Sequence, residues 1–194
     1  MDQTSDEDLM LRLQKAKDRE AFAELFRRYR VRITSYTCRL VGNAADGESL
    51  AQETFLRLLE KSDLYSYPRR FSTWLFTIAR NLATDHQKKK RAATSASFEL
   101  MADARSAPRT PPADVASIND EALDQLQAAI AQLAPQHREV LILRAFYNMS
   151  YREIAEIVAC PESTARSRMD YALKELRRYY RRFGDEKEAR HDCG

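Results

Sequence analysis

Two stretches of this sequence interleave rings with cations. In residues 65–91, YSYPRRFSTWLFTIARNLATDHQKKKR, the aromatics Tyr65, Tyr67, Phe71, Trp74 and Phe76 alternate with Arg69, Arg70, Arg80 and the run Lys88, Lys89, Lys90 and Arg91. Rings beside cations suit single-stranded nucleic acid, because unstacked bases lie on rings while the phosphate backbone follows positive charge. The second stretch, Glu162 to Arg182, holds seven basic and three acidic residues behind Pro161. At its start, Glu162, Ser163, Arg166, Ser167, Asp170 and Tyr171 share a polar side, where Arg can bind guanine bidentately and Asp can accept from cytosine. Arg168, Lys174, Arg177, Arg178, Arg181 and Arg182 are spaced for phosphates. Single-strand chemistry and duplex chemistry in one chain point to a protein that opens DNA.

Helical elements must position these groups. Phe22, Leu25, Phe26, Tyr29, Ile33, Tyr36 and Leu40 recur at spacings of three and four, and Gly42 stands at a C-cap position. Leu50, Thr54, Phe55, Leu58 and Leu59 form a second stripe, and Trp74, Leu75, Ile78, Ala79 and Leu82 a third. Residues 92–119 are rich in Ala, Ser and Pro without periodicity and read as a flexible, acidic linker. Helical pattern returns with Leu123, Leu126, Ile130 and Leu133 up to Pro135, then with Val140, Leu141 and Leu143. Ser150 and Glu153 make a capping box before Ile154, Ala155, Ile157 and Val158. A turn at Ala159 and Cys160 leads to Pro161, at the first position of a helix whose apolar face is Ala165, Met169, Ala172, Leu173 and Leu176. A short helix, a tight turn and a longer basic helix form a helix-turn-helix. The expected fold is all-α, with two small helical domains (8–91 and 120–183) joined by the linker 92–119 and followed by a tail, 184–194.

Composition excludes several classes. The chain has 194 residues, and only 4 Gly and 6 Pro speak against a turn-rich β fold. No apolar run approaches the roughly 20 residues of a transmembrane helix, and the acidic start MDQTSDEDLM lacks a signal-peptide core. Three scattered cysteines (Cys38, Cys160, Cys193) fit a reducing compartment. His86, His137 and His191 sit in unrelated contexts, no phosphate-cradling Gly loop is present, and His191 with Cys193 is too few ligands for a metal site. Neither an enzyme nor a metal or cofactor protein is expected. The formal net charge of +3 conceals segregation: residues 1–91 carry +5, 92–122 carry −3 and 123–194 carry +1. An electrostatic footprint is a local patch, so the small total does not exclude a polyanion partner.

These motifs, in this order, resemble the extracytoplasmic-function (ECF) group of bacterial sigma factors over nearly the whole chain. Asp18-x-Glu20-Ala21-Phe22-x-x-Leu25-x-x-Arg28-Tyr29 resembles that group's opening helix. Asp46-x-Glu48-x-Leu50-x-Gln52-Glu53-Thr54-Phe55-Leu56-Arg57 resembles its polymerase-binding helix, and Phe71-x-x-Trp74-Leu75-Phe76-x-Ile78-Ala79-Arg80-Asn81 its promoter-melting segment. Leu133-x-Pro135-x-x-Arg138-x-Val140-Leu141, Ser150-Tyr151-x-Glu153-Ile154-Ala155 and Cys160-Pro161-Glu162-Ser163-Thr164-x-Arg166-Ser167-Arg168 resemble its duplex-reading domain.

The resemblance implies a cytoplasmic, nucleoid-associated initiation factor that is a monomer when free. Its partners would be core RNA polymerase (the clamp coiled coil and flap region), promoter DNA and an anti-sigma factor. Asp46, Glu48, Gln52, Glu53 and Arg57 would meet the polymerase, with Leu50 and Phe55 packing. The loop from Tyr65 to Ser72 would capture a flipped-out base of the minus-ten element, with Tyr65, Tyr67, Arg69, Arg70, Phe71 and Trp74 around it. Arg80 and Asn81 would contact its upstream edge, and Lys88, Lys89, Lys90 and Arg91 would track phosphates. Glu162, Ser163, Thr164, Arg166, Ser167, Arg168, Asp170, Tyr171 and Lys174 would read the minus-thirty-five duplex. Glu99, Asp103, Asp114, Asp120 and Glu121 would give the linker a polyanion-like balance, suited to the polymerase channel or to a solubilising tether. Gly47 costs a helix interior about 1 kcal/mol and predicts a frayed start to the docking helix. Ala159 stands where the turn commonly has Gly. A sigma-like mimic that sequesters an anti-sigma factor without touching DNA is the alternative, and a stand-alone duplex-binding repressor is a third reading. Neither the mimic nor the repressor would need both aromatic-basic segments.

Overall fold

A computed structural model describes residues 4–97 and 120–191, with side chains at 4–93 and 125–181. Every regular element among the described residues is helical, and the chain divides into two compact units, Met1–Pro111 and Pro112–Gly194. The acidic linker residues Glu99, Asp103 and Asp114, the side chains of Asp120, Glu121, Arg182 and His191, and Cys193 lie outside what is described.

The first unit contains α1 (Asp6–Ala16), α2 (Arg19–Val41), α3 (Ala44–Glu60), a 3₁₀ turn (Ser62–Leu64) and α4 (Phe71–Ser97). The starts of α1, α2 and α3 are each capped by a short polar side chain. The Ser5 hydroxyl accepts from the Asp8 N–H, the Asp18 carboxylate from Glu20 and Ala21, and the Asn43 amide oxygen from Asp46. Gly42, at φ +71, ends α2 in the left-handed conformation that glycine adopts without penalty. Leu25, Tyr29, Ile33, Tyr36 and Leu40 of the α2 stripe are buried, whereas Phe26 is 41% exposed. Leu59 of the α3 stripe is also 41% exposed.

The start of α3 corrects the frayed-helix expectation. A Cβ on Gly47 would lie 2.5 Å from both the Cα and Sγ of Cys38, so glycine is what lets α2 and α3 approach here. The Thr37 hydroxyl donates to the Gly47 carbonyl at 2.7 Å across the same crossing. Helix α4 runs on through Ser97, six residues past the expected linker boundary at 91.

The second unit contains α5 (Asp120–Gln132), α6 (Pro135–Tyr147), α7 (Tyr151–Ile157) and α8 (Glu162–His191). Pro135 opens α6, where its missing N–H is no loss. The Arg138 guanidinium donates to the carbonyls of Ile130, Ala131 and Leu133, placing a cation at the C-terminus of α5. The capping box at Ser150 and Glu153 is formed in both directions. Ile142, Leu143, Ile154, Ile157, Ala165 and Ala172 are at most 1% exposed and make the core. Leu173, expected on that apolar face, is instead 37% exposed, whereas Ala172 and Met169 are buried.

Candidate nucleic-acid interface

Helix α3 offers the expected polar face but not the expected apolar one. Glu48 and Gln52 are exposed, and Glu53 pairs with Arg57 at 2.8 Å along the surface. Asp46 is held by two side chains from α4, the Lys90 ammonium at 3.1 Å and the His86 ring at 3.2 Å. The Lys90 hydrogen bond leads the effects that keep the Asp46 carboxyl below its ordinary value. Leu50 and Phe55 are 9% and 5% exposed. They pack inside the unit and are not free to pack on a partner, since their spacing along α3 turns both toward the helices behind it. The Phe55 ring meets Phe26 edge-on at 4.8 Å. The apolar side chains that α3 does present are Leu56, 55% exposed, and Leu59. Leu56 belongs to the docking motif but not to the contacts expected from it. Its place between Phe55 and Arg57, off the apolar stripe, is the sequence signal for an outward Leu.

The loop before α4 separates rings that build from a ring that reaches. Tyr65, Phe71 and Trp74 are 3%, 0% and 7% exposed. Tyr65 packs edge-on to Trp74 at 5.4 Å, and Phe71 edge-on to Tyr29 at 5.2 Å. The Tyr65 hydroxyl donates to the Arg69 carbonyl and so closes the loop on itself. Burial, with the charge of Glu7 behind it, pushes the Tyr65 phenol up to about 12. These three rings are the loop's foundation, and a base could not lie on their faces without unpacking them. Tyr67 is the exposed ring, 64% accessible at the tip, with Arg70 exposed and Arg69 half-buried nearby in sequence. Along α4, Arg80 is half-buried and Asn81 exposed, and Lys88, Lys89, Lys90 and Arg91 all reach solvent. At 1.5 Å per residue, α4 separates Phe71 from Arg91 by about 30 Å.

In the second unit, Glu162, Ser163, Arg166, Ser167, Asp170, Tyr171 and Lys174 are exposed on α8, with Thr164 and Arg168 half-buried. Arg166 is held before any ligand arrives. Its Nη2 donates to Glu162 at 2.6 Å and its guanidinium lies 4.6 Å from the Tyr151 ring centre. Arg144 approaches the same ring at 5.3 Å. Tyr151, not among the expected site residues, stands directly after the capping serine, where α7 meets α8. Tyr171 is stacked on His137 at 5.6 Å with the planes 10° apart, and Lys174 lies 5.6 Å from its centre. The turn between the helices holds Ala159 at φ +52, a conformation that costs a residue with a Cβ roughly 1–2 kcal/mol.

Comparison with known proteins decides the family. Residues 25–93 match the family described as Sigma-70 region 2, and residues 123–176 match Sigma-70, region 4. The ECF RNA polymerase sigma factor SigW of Bacillus subtilis is 31% identical over 174 residues, covering 86% of this chain and 92% of SigW. The chain belongs to the ECF sigma factor family. The ECF RNA polymerase sigma factor RpoE of Cereibacter sphaeroides is 33% identical, covering 88% of this sigma factor and 92% of that one. Two solved structures share the fold. The sigma factor RpoE of Bartonella quintana, in complex with the anti-sigma factor NepR, matches with a TM-score of 0.73 at 23% identity, covering 84% of this chain and 98% of that one. CnrH, in complex with the cytosolic domain of CnrY, matches with a TM-score of 0.67 at 21% identity, covering 89% and 95%. The family matches leave residues 1–24, 94–122 and 177–194 of this sigma factor uncovered, and so all of α1 and the last part of α8. Among the described residues no helix is long and apolar enough to cross a membrane, and no three His, Cys, Asp or Glu are grouped to hold a metal ion.

Proposed function

We propose that this sigma factor binds core RNA polymerase through the polar face of α3, captures the melted minus-ten strand with the loop before α4, and reads the minus-thirty-five duplex with α8. The observation that carries this reading is the division of labour at the loop. Three buried rings hold it in shape, and a fourth, Tyr67, stands exposed on it. Flipping a base out of a duplex costs a few kcal/mol of stacking, and a loop that is already ordered with a free ring can offset that cost. Glu48, Gln52, Glu53 and Arg57 are the docking residues, joined by Leu56. Asp46 contributes through its pair with Lys90, which links the docking helix to the phosphate-tracking run. Arg166, preset by Glu162 and Tyr151, is the duplex-reading side chain. The domains follow the two units, with the acidic linker between them. The protein works by binding, in the cytoplasm and at the nucleoid when part of the holoenzyme. An anti-sigma factor is a further partner, as it is for the Bartonella quintana protein of the same fold.

Run-off transcription with purified core polymerase and genomic promoter fragments tests the reading. The expected result is new transcripts that depend on the added chain, together with comigration of chain and core. A chain that neither comigrates with core nor yields a transcript would refute it.

A further inference from the structure

Helix α1 lies ahead of the region 2 match, yet it grips the capture loop at both ends. At the far end, the Glu7 carboxylate accepts from the N–H of Phe71 at 3.0 Å, satisfying an orphan donor in the first turn of α4. At the near end, the Gln14 amide donates to the carbonyls of Asp63 and Tyr65, at 3.2 and 3.1 Å. Lys17, just past α1, donates to the Ser62 hydroxyl at 3.2 Å and to Asp63 at 2.9 Å. The helix is itself well anchored: Leu9, Met10 and Leu13 are buried, and Asp6 accepts from Tyr29 and from Arg28. Residues 66–70 are thus suspended between two clamps, with Tyr67 at the exposed tip.

We infer that α1 is a brace for strand capture, and that Glu7 and Gln14 are positioning residues for promoter opening. This rests on the reading of the 65–70 loop as the capture element. A loop held in its binding shape spends less of its interaction free energy on becoming ordered, so loosening either clamp should weaken single-strand binding. Duplex reading by the other unit should not change. Nor should core binding, whose side chains lie on α3. Glu7 and Gln14 touch no nucleic acid in this proposal. They act through the backbone of the loop.

The test uses holoenzyme reconstituted from core polymerase and the full chain, with Glu7→Ala, Glu7→Gln, Gln14→Ala and Gln14→Met. The probes are a labelled single-stranded nontemplate oligonucleotide spanning the minus-ten element of a promoter active in run-off, and a duplex minus-thirty-five fragment. Glu7→Ala and both Gln14 variants should weaken single-strand binding about tenfold, the worth of one or two hydrogen bonds. Duplex and core affinities should stay within about twofold, by the same arithmetic. Glu7→Gln keeps an acceptor for the Phe71 N–H and should recover most of the loss. Gln14→Met keeps the side-chain length without the donor, separating the hydrogen bonds from packing. Single-strand affinity unchanged in folded variants, or all three affinities falling together with the melting temperature, would overturn the brace. Tyr67→Ala tells the two failures apart. If it leaves single-strand binding intact, the loop is not the capture element and the brace falls with that reading. If it weakens binding while the α1 variants do not, the brace alone is wrong.

Discussion

Gly47→Ala is the substitution on which helix propensity and tertiary packing disagree in sign. On an exposed helix the change would stabilise by about 1 kcal/mol, because alanine loses less backbone freedom than glycine. Here the new methyl group would sit 2.5 Å from the Cα and Sγ of Cys38 and 2.6 Å from its backbone nitrogen. Two of those atoms are main chain and cannot rotate away, so α2 and α3 must separate. Overpacking of this kind costs about 1–3 kcal/mol, and the close crossing marks the upper part of that range. Separation also lengthens the 2.7 Å bond from the Thr37 hydroxyl to the Gly47 carbonyl, a further loss of about 1 kcal/mol. Setting the propensity gain against these losses leaves a net destabilisation of about 2–3 kcal/mol. For a unit of this size that lowers the melting temperature by roughly 10–20 °C. Trp74, the single tryptophan of the chain, is buried in the first unit, so its fluorescence reports this unit's unfolding without the other. Cys38→Ala in the Gly47→Ala background should recover less than half of the loss, because it removes the sulfur and leaves the backbone contacts. A Trp74 transition that is unmoved or shifted upward in Gly47→Ala would refute the close-crossing argument.

Two further predictions concern the second unit and alkaline pH. Arg166→Ala should weaken minus-thirty-five duplex binding by about 1–3 kcal/mol in a gel shift, with core binding in a pull-down unchanged. Loss of both would mean misfolding, not lost readout. The folded Tyr65 phenol, at about 12, stays protonated above the 10.0 at which it ionises without that burial. The unfolded chain therefore releases this proton first, and the stability that Tyr65 contributes, complete below 10.0, is lost as pH rises through about 12. Urea melts across that window should show a shallower decline for Tyr65→Phe than for the parent chain. Parallel declines would show that burial of the phenol is not what couples this unit to pH.

The helices, their caps and the helix-turn-helix were legible in the sequence because each is set by neighbours three or four residues apart. Ser150 with Glu153, Pro135 and Gly42 all carry out the local roles their positions imply. The exposed polar side of α8 was legible for the same reason: a helix surface follows from spacing. α1 carries the same local marks, Ser5 capping at Asp8 and the buried Leu9, Met10 and Leu13, but its grip on the loop is not among them.

Tertiary structure alone decided which side of the loop each ring takes and what each charge meets. Tyr65 and Tyr67 are two residues apart and chemically identical, yet one is a wall and the other a tip, because only Tyr65 finds Phe71 and Trp74 behind it. Asp46 reads as a free docking carboxylate until α4 brings Lys90 to it across 44 residues. Gly47 reads as a helix breaker until Cys38 fills the space a side chain would need. The grip of Glu7 on Phe71 spans 64 residues. Local periodicity encodes which residues share a helix face, but contacts between helices depend on how those faces meet, and that is settled only when the whole core packs.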